Sequence, residues 1–346
     1  MSDYLSAPSA ANRILVTGAA GFIGFHTCRK LLAGGAHVLG LDDLNNYYDV
    51  ALKQARLARL QGLQGFAFER CDVAEKGRVL ALVERFKPDY LVHLAAQAGV
   101  RFSLNDPSAY LHANVDGFLA ILEACRAHPV RHLLYASSSS VYGANRKVPF
   151  SETDPVDNPR SLYAVTKRAN ELMAHTYAQL FGIATSGLRF FTVYGPWGRP
   201  DMAYFSFTKA ILAGRPIDVF NHGRMQRDFT YIDDVVEAIE RLLPLAPGSA
   251  ALPDAEPADA SGAGVAHRLY NVGSHTPVPL DQFIAVLEAA LGCKAEVRML
   301  PIQPGDVPIT YADVGRLAAA VDFAPRTPLV EGIGHFVTWY RQFYAA

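Results

Sequence analysis

Tyr163 and Lys167 lie four residues apart at the start of a segment, ending near Leu180, whose apolar spacing predicts a helix. Residues four apart share one helical face, so the Lys167 ammonium can stabilise the ionised form of the Tyr163 phenol. A phenol stabilised in this way can act as a base near neutral pH. The pair therefore predicts proton transfer to or from a substrate hydroxyl group.

Four consecutive serines, residues 137 to 140, end an apolar run that begins at His132 and predicts a β-strand. Ligands bind at the carboxyl ends of parallel strands, so these hydroxyl groups are expected beside Tyr163. One of these serine hydroxyl groups can then share the proton of the substrate oxygen with the phenol. The alternative is a flexible polar loop without a chemical role, and a Tyr-x-x-x-Lys match alone is common by chance.

A glycine-rich turn indicates a second function, the binding of a dinucleotide. Gly18, Gly21 and Gly24 follow the apolar run Ile14 to Thr17 and precede Phe25 to Leu32, which has helical spacing. Such glycines permit a tight turn and let backbone N–H groups approach a pyrophosphate at the helix N-terminus. The first two are three residues apart rather than two, so the motif is a variant of the dinucleotide fingerprint. A purely structural turn is the alternative.

Two acidic residues after the second apolar run favour one cofactor over another. Asp42 lies where an acidic side chain would accept hydrogen bonds from the ribose hydroxyls of adenosine. Asp42 and Asp43 together would repel the 2'-phosphate of NADP, so the sequence predicts NAD. The alternative is that the two acids begin a turn, which explains their coincidence with the glycines less well.

The first half of the chain has the pattern of a scaffold that could position these residues. Short apolar runs alternate with helix-like segments, which is typical of βαβ units with strands buried on both faces. The runs are Ile14 to Gly18, His37 to Asp42, Phe66 to Asp72, Tyr90 to Ala96 and His132 to Ser137. We predict an α/β fold with a Rossmann-type doubly wound parallel sheet over residues 1–189, which binds NAD and carries the catalytic residues.

After Arg189 the chain breaks into pieces separated by Pro and Gly, with helical spacing at four places. These are Tyr204 to Ala213, Ile232 to Leu243, Leu280 to Leu291 and Gly332 to Tyr344. We predict a smaller mixed α/β lobe over residues 190–346 that mainly binds substrate, with some chain returning to the first sheet. Pro247 to Ala266 has almost no large apolar residues and is expected to be an exposed loop.

The bulk composition narrows the class of partner. The 346 residues carry a net charge of -1 and contain no run of like charges, so nothing attracts nucleic acid or an anionic membrane. Cys28, Cys71, Cys125 and Cys293 form no CxxC pair, which argues against a zinc site and a disulfide framework. No signal-peptide pattern and no apolar stretch of about 20 residues is present. We expect a cytoplasmic protein that binds no metal and acts on a small molecule.

Together the motifs resemble those of the extended short-chain dehydrogenases/reductases, in particular the NAD-dependent epimerases of sugar nucleotides. The resemblance runs from about Arg13 to Tyr344 and includes the glycine turn, the serine strand, the Tyr-x-x-x-Lys pair and the run Arg189 to Pro196. It implies that Ser138, Tyr163 and Lys167 are the catalytic set. It also implies that Asp72 and Val73 hold the adenine. The other cofactor-binding residues that it implies are Phe22, Ile23, Leu94, Ala95, Ala96 and Asn114.

The resemblance also implies a site for the substrate diphosphate. Arg227 lies in a segment, Met225 to Tyr231, like the one whose arginine meets the diphosphate in these enzymes. A guanidinium suits this role because its planar fork gives two directed, charged hydrogen bonds. Asp306 is a further substrate-binding candidate, but the arginine that the family often has three residues before it is replaced by Gln303. A surface ion pair is the alternative for Arg227.

The serine strand separates the reactions within the family. Related 4,6-dehydratases carry an Asp-Glu pair where this chain has Ser139 and Ser140, and uronate decarboxylases usually have Glu at the second position. Neither acid is present. The resemblance therefore favours a reaction that needs one base and a reversible hydride transfer, namely inversion at C4 of the sugar.

Three further segments resemble epimerases that act on UDP-glucuronate: Leu41 to Arg56, Ala96 to Ser103 and Tyr194 to Ala203. In that resemblance Arg199 faces the sugar carboxylate, with Arg101 as a second candidate. Ser139, Ser140 and Thr192 complete its polar contacts. The alternatives are a plain turn at Tyr194 and a solvated charge at Arg101.

Our hypothesis is reversible conversion of UDP-glucuronate to UDP-galacturonate through a 4-keto intermediate, with Tyr163 as the base and transient hydride transfer to tightly bound NAD. Rival functions are epimerisation of UDP-glucose or a UDP-N-acetylhexosamine, decarboxylation of UDP-glucuronate, net oxidation of a substrate, and nucleotide binding by a catalytically idle Rossmann protein. The resemblance also implies a homodimer that pairs through Leu119 to Ala127 and Tyr163 to Leu180.

Overall fold

The computed structural model describes residues 12–249, 265–303, 305–323 and 325–345. Its strands are β1 (Arg13–Thr17), β2 (His37–Asp42), β3 (Phe66–Arg70), β4 (Tyr90–His93), β5 (His132–Ser138), β6 (Thr185–Phe190), β7 (Thr192–Tyr194), β8 (Ile217–Val219), β9 (Gln226–Tyr231), β10 (His267–Val272), β11 (Pro277–Pro279) and β12 (Val297–Met299). The loop predicted at Pro247 to Ala266 lies largely outside the described residues.

The helices lie between these strands and after them. They are α1 (Phe22–Ala33), α2 (Val50–Gln61), α3 (Lys76–Phe86), α4 (Pro107–Tyr110), α5 (Gly117–Ala127), α6 (Leu162–Phe181), α7 (Ala203–Leu212), α8 (Ile232–Leu242), α9 (Leu280–Leu291), α10 (Gly315–Val321) and α11 (Leu329–Tyr344). A π-helical stretch, Leu111–Asp116, joins α4 to α5. None of the described helices is both long and apolar enough to cross a bilayer.

Seven strands form one parallel sheet in the order β10-β6-β5-β4-β1-β2-β3. This confirms the predicted α/β fold. The strands β3 and β4 end at Arg70 and His93, earlier than the apolar runs that predicted them. The residues that follow these two strands, among them Val73, Leu94 and Ala95, leave the sheet and line the cleft described below. Their apolar character therefore reflects the lining of the cleft and not burial within the sheet.

Helices cover both faces of the sheet because its strands are apolar on both sides. Ile14 and Val16 of β1 belong to one buried cluster, and Leu15 between them belongs to another. The first face packs against α1 and α8, which also contact each other, and the second packs against α3 and α5. The alternation along β1 thus fixes which layer each helix joins.

The chain after Arg189 contributes to two regions. β10 pairs in parallel with β6 at the edge of the large sheet, and α8 packs on α1. The remaining elements form a three-stranded sheet, β11-β9-β7, a two-stranded sheet, β12-β8, and the helix pair α9 and α11. One hydrophobic cluster runs from Ile14 to Phe336, so the two regions share a core. The division of the chain at residue 189 stays a prediction.

Candidate active site

A large cleft, with a cavity volume of about 1200 Å³, opens where the strands β1 to β6 end. Residues that follow each of these six strands line it, as expected for a parallel sheet. The structure brings together in its walls all of the residues predicted to bind cofactor or substrate except Asn114.

The glycine turn forms a cradle at one end of the cleft that only glycine can line. Gly18 has φ +69°, and a Cβ atom there would lie 2.8 Å from the backbone N of Ala95. A Cβ atom on Gly21 would lie 2.9 Å from the carbonyl O of Gly18, and one on Gly24 would overlap that same oxygen. The turn therefore leaves its backbone N–H groups open to a pyrophosphate at the start of α1.

A threonine that the motif analysis did not select holds the far wall of this cradle. The Thr17 hydroxyl oxygen accepts hydrogen bonds from the backbone N of Leu94 and of Ala95, each at 3.1 Å. It also lies 2.8 Å from Nδ1 of the buried His93. Because the hydroxyl already accepts two bonds, it donates to Nδ1. The segment Leu94 to Ala96 is thereby fixed against the glycine turn.

Acidic side chains lie at the end of the cleft where the adenosine is expected. Asp42 is buried, and its two carboxylate oxygens accept from the backbone N of Ala20 at 3.0 Å and of Leu44 at 2.9 Å. Asp72, before Val73, accepts from the backbone N of Ala74 and lies 2.7 Å from the His112 ring. Each oxygen keeps a lone pair for a further donor. The cradle and these acids fit NAD.

Asn114 lies beneath the cleft wall rather than in it. It is 1 % exposed, and its side-chain oxygen accepts from the backbone N of Gln97 at 2.8 Å. Its amide nitrogen donates to the Gln97 carbonyl and to the Thr166 hydroxyl on α6, each at 3.0 Å. All three bonds are directed into the protein. Asn114 thus ties the loop after β4 to the helix that carries Tyr163, and a direct contact with cofactor stays a prediction.

The proposed base lies in the first turn of α6. Ser161 caps this helix by accepting a hydrogen bond from the backbone N of Ala164 at 3.1 Å. Burial raises the pKa of Tyr163 above its ordinary value, and the Ser138 hydroxyl and the Arg199 guanidinium act to lower it. A base near neutral pH therefore needs further positive charge at this end of the cleft, which an oxidised nicotinamide would supply.

Lys167 lies on the same face of α6 as Tyr163, but its ammonium has another partner. It donates to the carbonyl O of Ala136 in β5 at 2.9 Å, and the side chain is 2 % exposed. Burial lowers the pKa of Lys167 to about 8. Tyr163 and Lys167 therefore line the same wall of the cleft, as their spacing predicts. The Lys167 ammonium, however, is hydrogen-bonded to the strand that carries Ser138.

A buried ion pair supports the serine strand from below. Glu171 and Arg189 are each 1 % exposed, and the guanidinium donates to the two carboxylate oxygens at 2.8 and 2.9 Å. The Ser137 hydroxyl donates to the same carboxylate at 2.7 Å. Ser138, the next residue, accepts from the backbone N of Ser140 at 3.1 Å. The turn that presents Ser138, Ser139 and Ser140 is therefore fixed at both ends.

On the wall near Tyr163, Arg199 forms a two-bond ion pair with Asp201. Nε donates to one carboxylate oxygen at 3.0 Å, and Nη2 donates to the other. The Tyr47 hydroxyl donates to Asp201 at 3.3 Å. Thr192, which begins β7, also lines this part of the cleft. Sequence reasoning missed Asp201 and Tyr47, although both lie in quoted motifs, and the Arg-Pro-Asp spacing was the available signal.

The remaining predicted residues meet near the other end of the cleft. Arg101 forms an ion pair with Asp306 at 2.9 Å, and its guanidinium lies 4.5 Å from the centre of the Phe220 ring. Arg227 donates to the carbonyl O of Gln226 at 2.8 Å and of Pro308 at 3.2 Å. Two guanidinium groups thus line one region of the cleft, whereas Arg199 lies apart with Asp201. No group of His, Cys, Asp and Glu in the described ranges could hold a metal ion.

Comparison with known proteins gives matches over nearly the whole chain. Residues 14–249 match the model of the NAD dependent epimerase/dehydratase family. Protein CapI of Staphylococcus aureus is 48% identical over 334 residues, which are 96% of this chain and 99% of that protein. A probable UDP-glucuronate 4-epimerase of Rhizobium meliloti is 47% identical over 333 residues, 96% of this chain and 98% of that protein. UDP-glucuronic acid 4-epimerase from Bacillus cereus, solved with UDP-glucuronic acid and NAD, is 32% identical with a TM-score of 0.86, covering 96% of this chain and 100% of its own.

Proposed function

Because the chain belongs to the NAD dependent epimerase/dehydratase family, we propose that it converts UDP-glucuronate and UDP-galacturonate into each other by inverting C4 of the sugar. One observation carries this proposal. Tyr163, a half-buried phenol, shares a cleft wall with Arg199, and the serine strand beside Tyr163 offers only hydroxyl groups. A base, a cation for a sugar carboxylate and no acid on that strand suit epimerisation better than dehydration.

NAD is the cofactor, and when bound it accepts the hydride of C4 and returns it to the opposite face. The chain would hold it with the glycine turn, including Phe22 and Ile23, with Asp42 at the ribose and with the residues after β3 and β4. Glycine at positions 18, 21 and 24 keeps the turn tight, because a Cβ atom at any of them would collide with neighbouring backbone. Asp42 and Asp43 disfavour a 2'-phosphate through charge repulsion.

The chain's own residues handle the proton. Tyr163 accepts the C4 hydroxyl proton and later gives it back, and Ser138 donates a hydrogen bond to the same oxygen. Lys167 adds positive charge that favours the ionised phenol, although its ammonium is bonded to Ala136. Arg199, Ser139, Ser140 and Thr192 orient the carboxylate at C5. That orientation matters because the 4-keto intermediate is a β-keto acid, which loses carbon dioxide when the C5–carboxylate bond aligns with the carbonyl π system.

We further propose that residues 190–346 mainly bind the UDP-sugar substrate, and that the diphosphate lies between Arg227 of this part and Arg101 of the first part. Arg227 and Arg101 line one region of the cleft, and Asp306 stands between their elements as the partner of Arg101. Two guanidinium groups near one another are suited to a diphosphate. On this proposal Arg101 supplies the second cation in place of the arginine that Gln303 replaces. Arg101 then contacts the diphosphate rather than the carboxylate.

We propose a homodimer that pairs through α5 and α6. Val165, Leu172 and Leu180 on α6 are 44 %, 52 % and 65 % exposed, which is unusual for three large apolar side chains on one helix. Their burial against a second copy would remove this apolar patch from water. We also propose that the protein acts in the cytoplasm, where its four free thiols would stay reduced.

A proton NMR time course of the purified protein tests the function, with UDP-glucuronate in one sample, UDP-glucose in a parallel sample, and no added reductant in either. We expect signals of UDP-galacturonate without net NADH, and no conversion by Tyr163→Phe. Tyr177→Phe, which removes a phenol hydroxyl farther along the same helix, is the matched control and should stay active. UDP-pentose products would indicate a decarboxylase, and turnover of UDP-glucose alone would remove the argument from Arg199. No conversion of either sugar would overturn the proposal.

A further inference from the structure

The guanidinium that faces the sugar in the proposed function already has a carboxylate partner in the protein. The Asp201 carboxylate accepts hydrogen bonds from Nε and from Nη2 of Arg199. Asp201 lies only two residues further along the chain, with Pro200 between them. A guanidinium has five N–H groups, and its planar fork presents two edges that can each bind a carboxylate. The guanidinium also interacts with the Tyr47 hydroxyl, and no second carboxylate of the described residues pairs with it. Asp201 thus leaves the end-on edge as the one open to a ligand.

The pair is placed in the wall of the cleft and not in the core. Its side chains are 24 % and 27 % exposed, and both residues line the cleft beside Tyr163. The chain between them contains a proline, whose fixed φ angle limits the positions that the carboxylate can take. Both side chains therefore lie where a ligand in the cleft can reach them.

A third residue holds Asp201 from the cofactor side. The Tyr47 hydroxyl donates to the carboxylate oxygen that also accepts from Nη2 of Arg199. The Tyr47 ring packs 4.9 Å from the ring of Phe102, centre to centre. Tyr47 lies in the connection between β2 and α2, which begins with the acids at the adenosine end. Asp201 is therefore held by two donors from distant parts of the chain, Arg199 and Tyr47.

We propose that Asp201 is a positioning residue: it fixes the Arg199 guanidinium so that its end-on edge receives the sugar carboxylate, and it thereby limits loss of carbon dioxide from the 4-keto intermediate. This inference rests on the proposed function. In the reaction that it limits, the C5–C6 bond breaks and its electron pair moves into the C4 carbonyl to form an enolate. Carbon dioxide leaves, and C5 then takes a proton from water.

The charge of Asp201 also affects the pKa of Tyr163. Arg199 acts to lower the pKa of Tyr163, and Asp201 acts to raise it. Removal of the Asp201 charge leaves the guanidinium uncompensated, so the phenol should ionise at lower pH. A purely structural role for Asp201 would not shift the pH profile in this direction.

The test compares Asp201→Asn with the parent enzyme, both purified with their NAD, on UDP-glucuronate carrying carbon-14 in the carboxylate. Carbon dioxide released per UDP-galacturonate formed should rise about 10–100-fold, the range expected for the loss of one hydrogen bond to a charged group. The acid limb of kcat should move to lower pH. Asp281→Asn, an exposed carboxylate in the first turn of α9, is the matched control and should change neither quantity.

An active parent with an Asp201→Asn variant of unchanged product ratio and pH profile would overturn the inference and leave the proposed function standing. A parent that forms no UDP-galacturonate would overturn both. A changed ratio accompanied by loss of NAD and a lower melting temperature would show a structural role instead, and would also overturn it. If Asp201→Asn does not fold, Tyr47→Phe provides the test. A smaller rise in the product ratio supports the inference, and no rise refutes it.

Discussion

Replacing Glu171 by Gln should destabilise the protein strongly, because it leaves the buried Arg189 without its charged partner. Gln has nearly the same volume as Glu, so the substitution tests the charge alone. Glu171 is 1 % exposed and accepts two hydrogen bonds from the equally buried Arg189, one from Ser137 and one from Arg168. Without Glu171, the Arg189 guanidinium keeps only neutral acceptors, the Tyr142 hydroxyl at 3.0 Å and the Glu152 carbonyl at 3.3 Å. Removal of one partner of a buried pair costs about 3–5 kcal/mol.

This cost corresponds to an unfolding equilibrium constant about 100 to 4000 times larger, at 1.4 kcal/mol for each factor of ten. Melting temperatures of proteins of 150–250 residues change by roughly 2–4 °C per kcal/mol, and less in longer chains, so we expect a fall of about 5–10 °C. The assay is thermal unfolding followed by circular dichroism at fixed NAD and protein concentrations, because ligand and subunit binding both shift the midpoint.

Glu123→Gln is the control, since Glu123 is a half-exposed acid on α5 whose partners are Arg126 at 3.5 Å and the Tyr177 hydroxyl at 2.6 Å, and the amide oxygen of Gln can still accept from that hydroxyl. It should change stability by less than about 1 kcal/mol. A variant pair, Glu171→Leu with Arg189→Met, should be less destabilised than the sum of its single changes, because neither member of the pair is left as an unpaired buried charge, although Arg168 also loses its bond to Glu171. A Glu171→Gln variant that melts within about 2 °C of the parent would refute this account of the ion pair.

The same pair predicts the effect of acid. Burial acts to raise the pKa of Glu171, and Arg189 outweighs it, so the pKa is lowered. A carboxylate with a lowered pKa in the folded state contributes stability above its unfolded value, about 4.3, and loses it as the pH falls further. The difference in stability between parent and Glu171→Gln should therefore shrink below about pH 4. A difference that stays constant down to pH 2 would contradict the assignment.

Three further predictions concern Lys167, Arg56 and Gly24. The pKa of Lys167 is lowered to about 8 by burial, so its ammonium is lost as the pH rises through that value; kcat/KM should fall above about pH 8, and Lys167→Arg should move this limb upward, as a pH–rate profile would show. Arg56 is fully buried and donates to three backbone carbonyls, including those of residues 20 and 197. Arg56→Met should cost at least about 3 kcal/mol in thermal unfolding, because these carbonyls lose their donor, whereas Arg59→Met on the same helix should be nearly neutral. Gly24→Ala should abolish retention of NAD, measured by absorbance of the released cofactor, because its Cβ would overlap the turn; Gly77→Ala, with open space around it, should retain NAD.

Local pattern alone was enough to predict the sheet. Apolar runs such as His37 to Asp42 lack polar alternation, and the structure buries β2 on both faces. The glycine turn could also be predicted, because the φ angle of Gly18 and the lack of room for a Cβ atom are properties of a few adjacent residues. The catalytic pair follows the same rule, since four residues along one helix set which face Tyr163 and Lys167 share.

Other features depend on residues that meet only after folding. The hydrogen-bond partner of Lys167 is a carbonyl in β5 rather than the phenol one turn away. Asn114 turns out to hold the backbone of Gln97 and the Thr166 hydroxyl beneath the cleft. The strand β10 carries no motif, and only the edge offered by β6 places it in the large sheet.

The site around Arg199 shows the division most clearly. The sequence determined that a guanidinium follows the Tyr-Gly-Pro run, and it determined that the serine strand carries no acid. Only the tertiary structure decided that Asp201 holds this guanidinium and that Tyr47, 154 residues earlier, bonds to Asp201. Spacing along the chain encodes burial and local geometry, because these depend on near neighbours. The partner of a polar side chain depends instead on which distant segments the packed core brings together, and no local pattern specifies that.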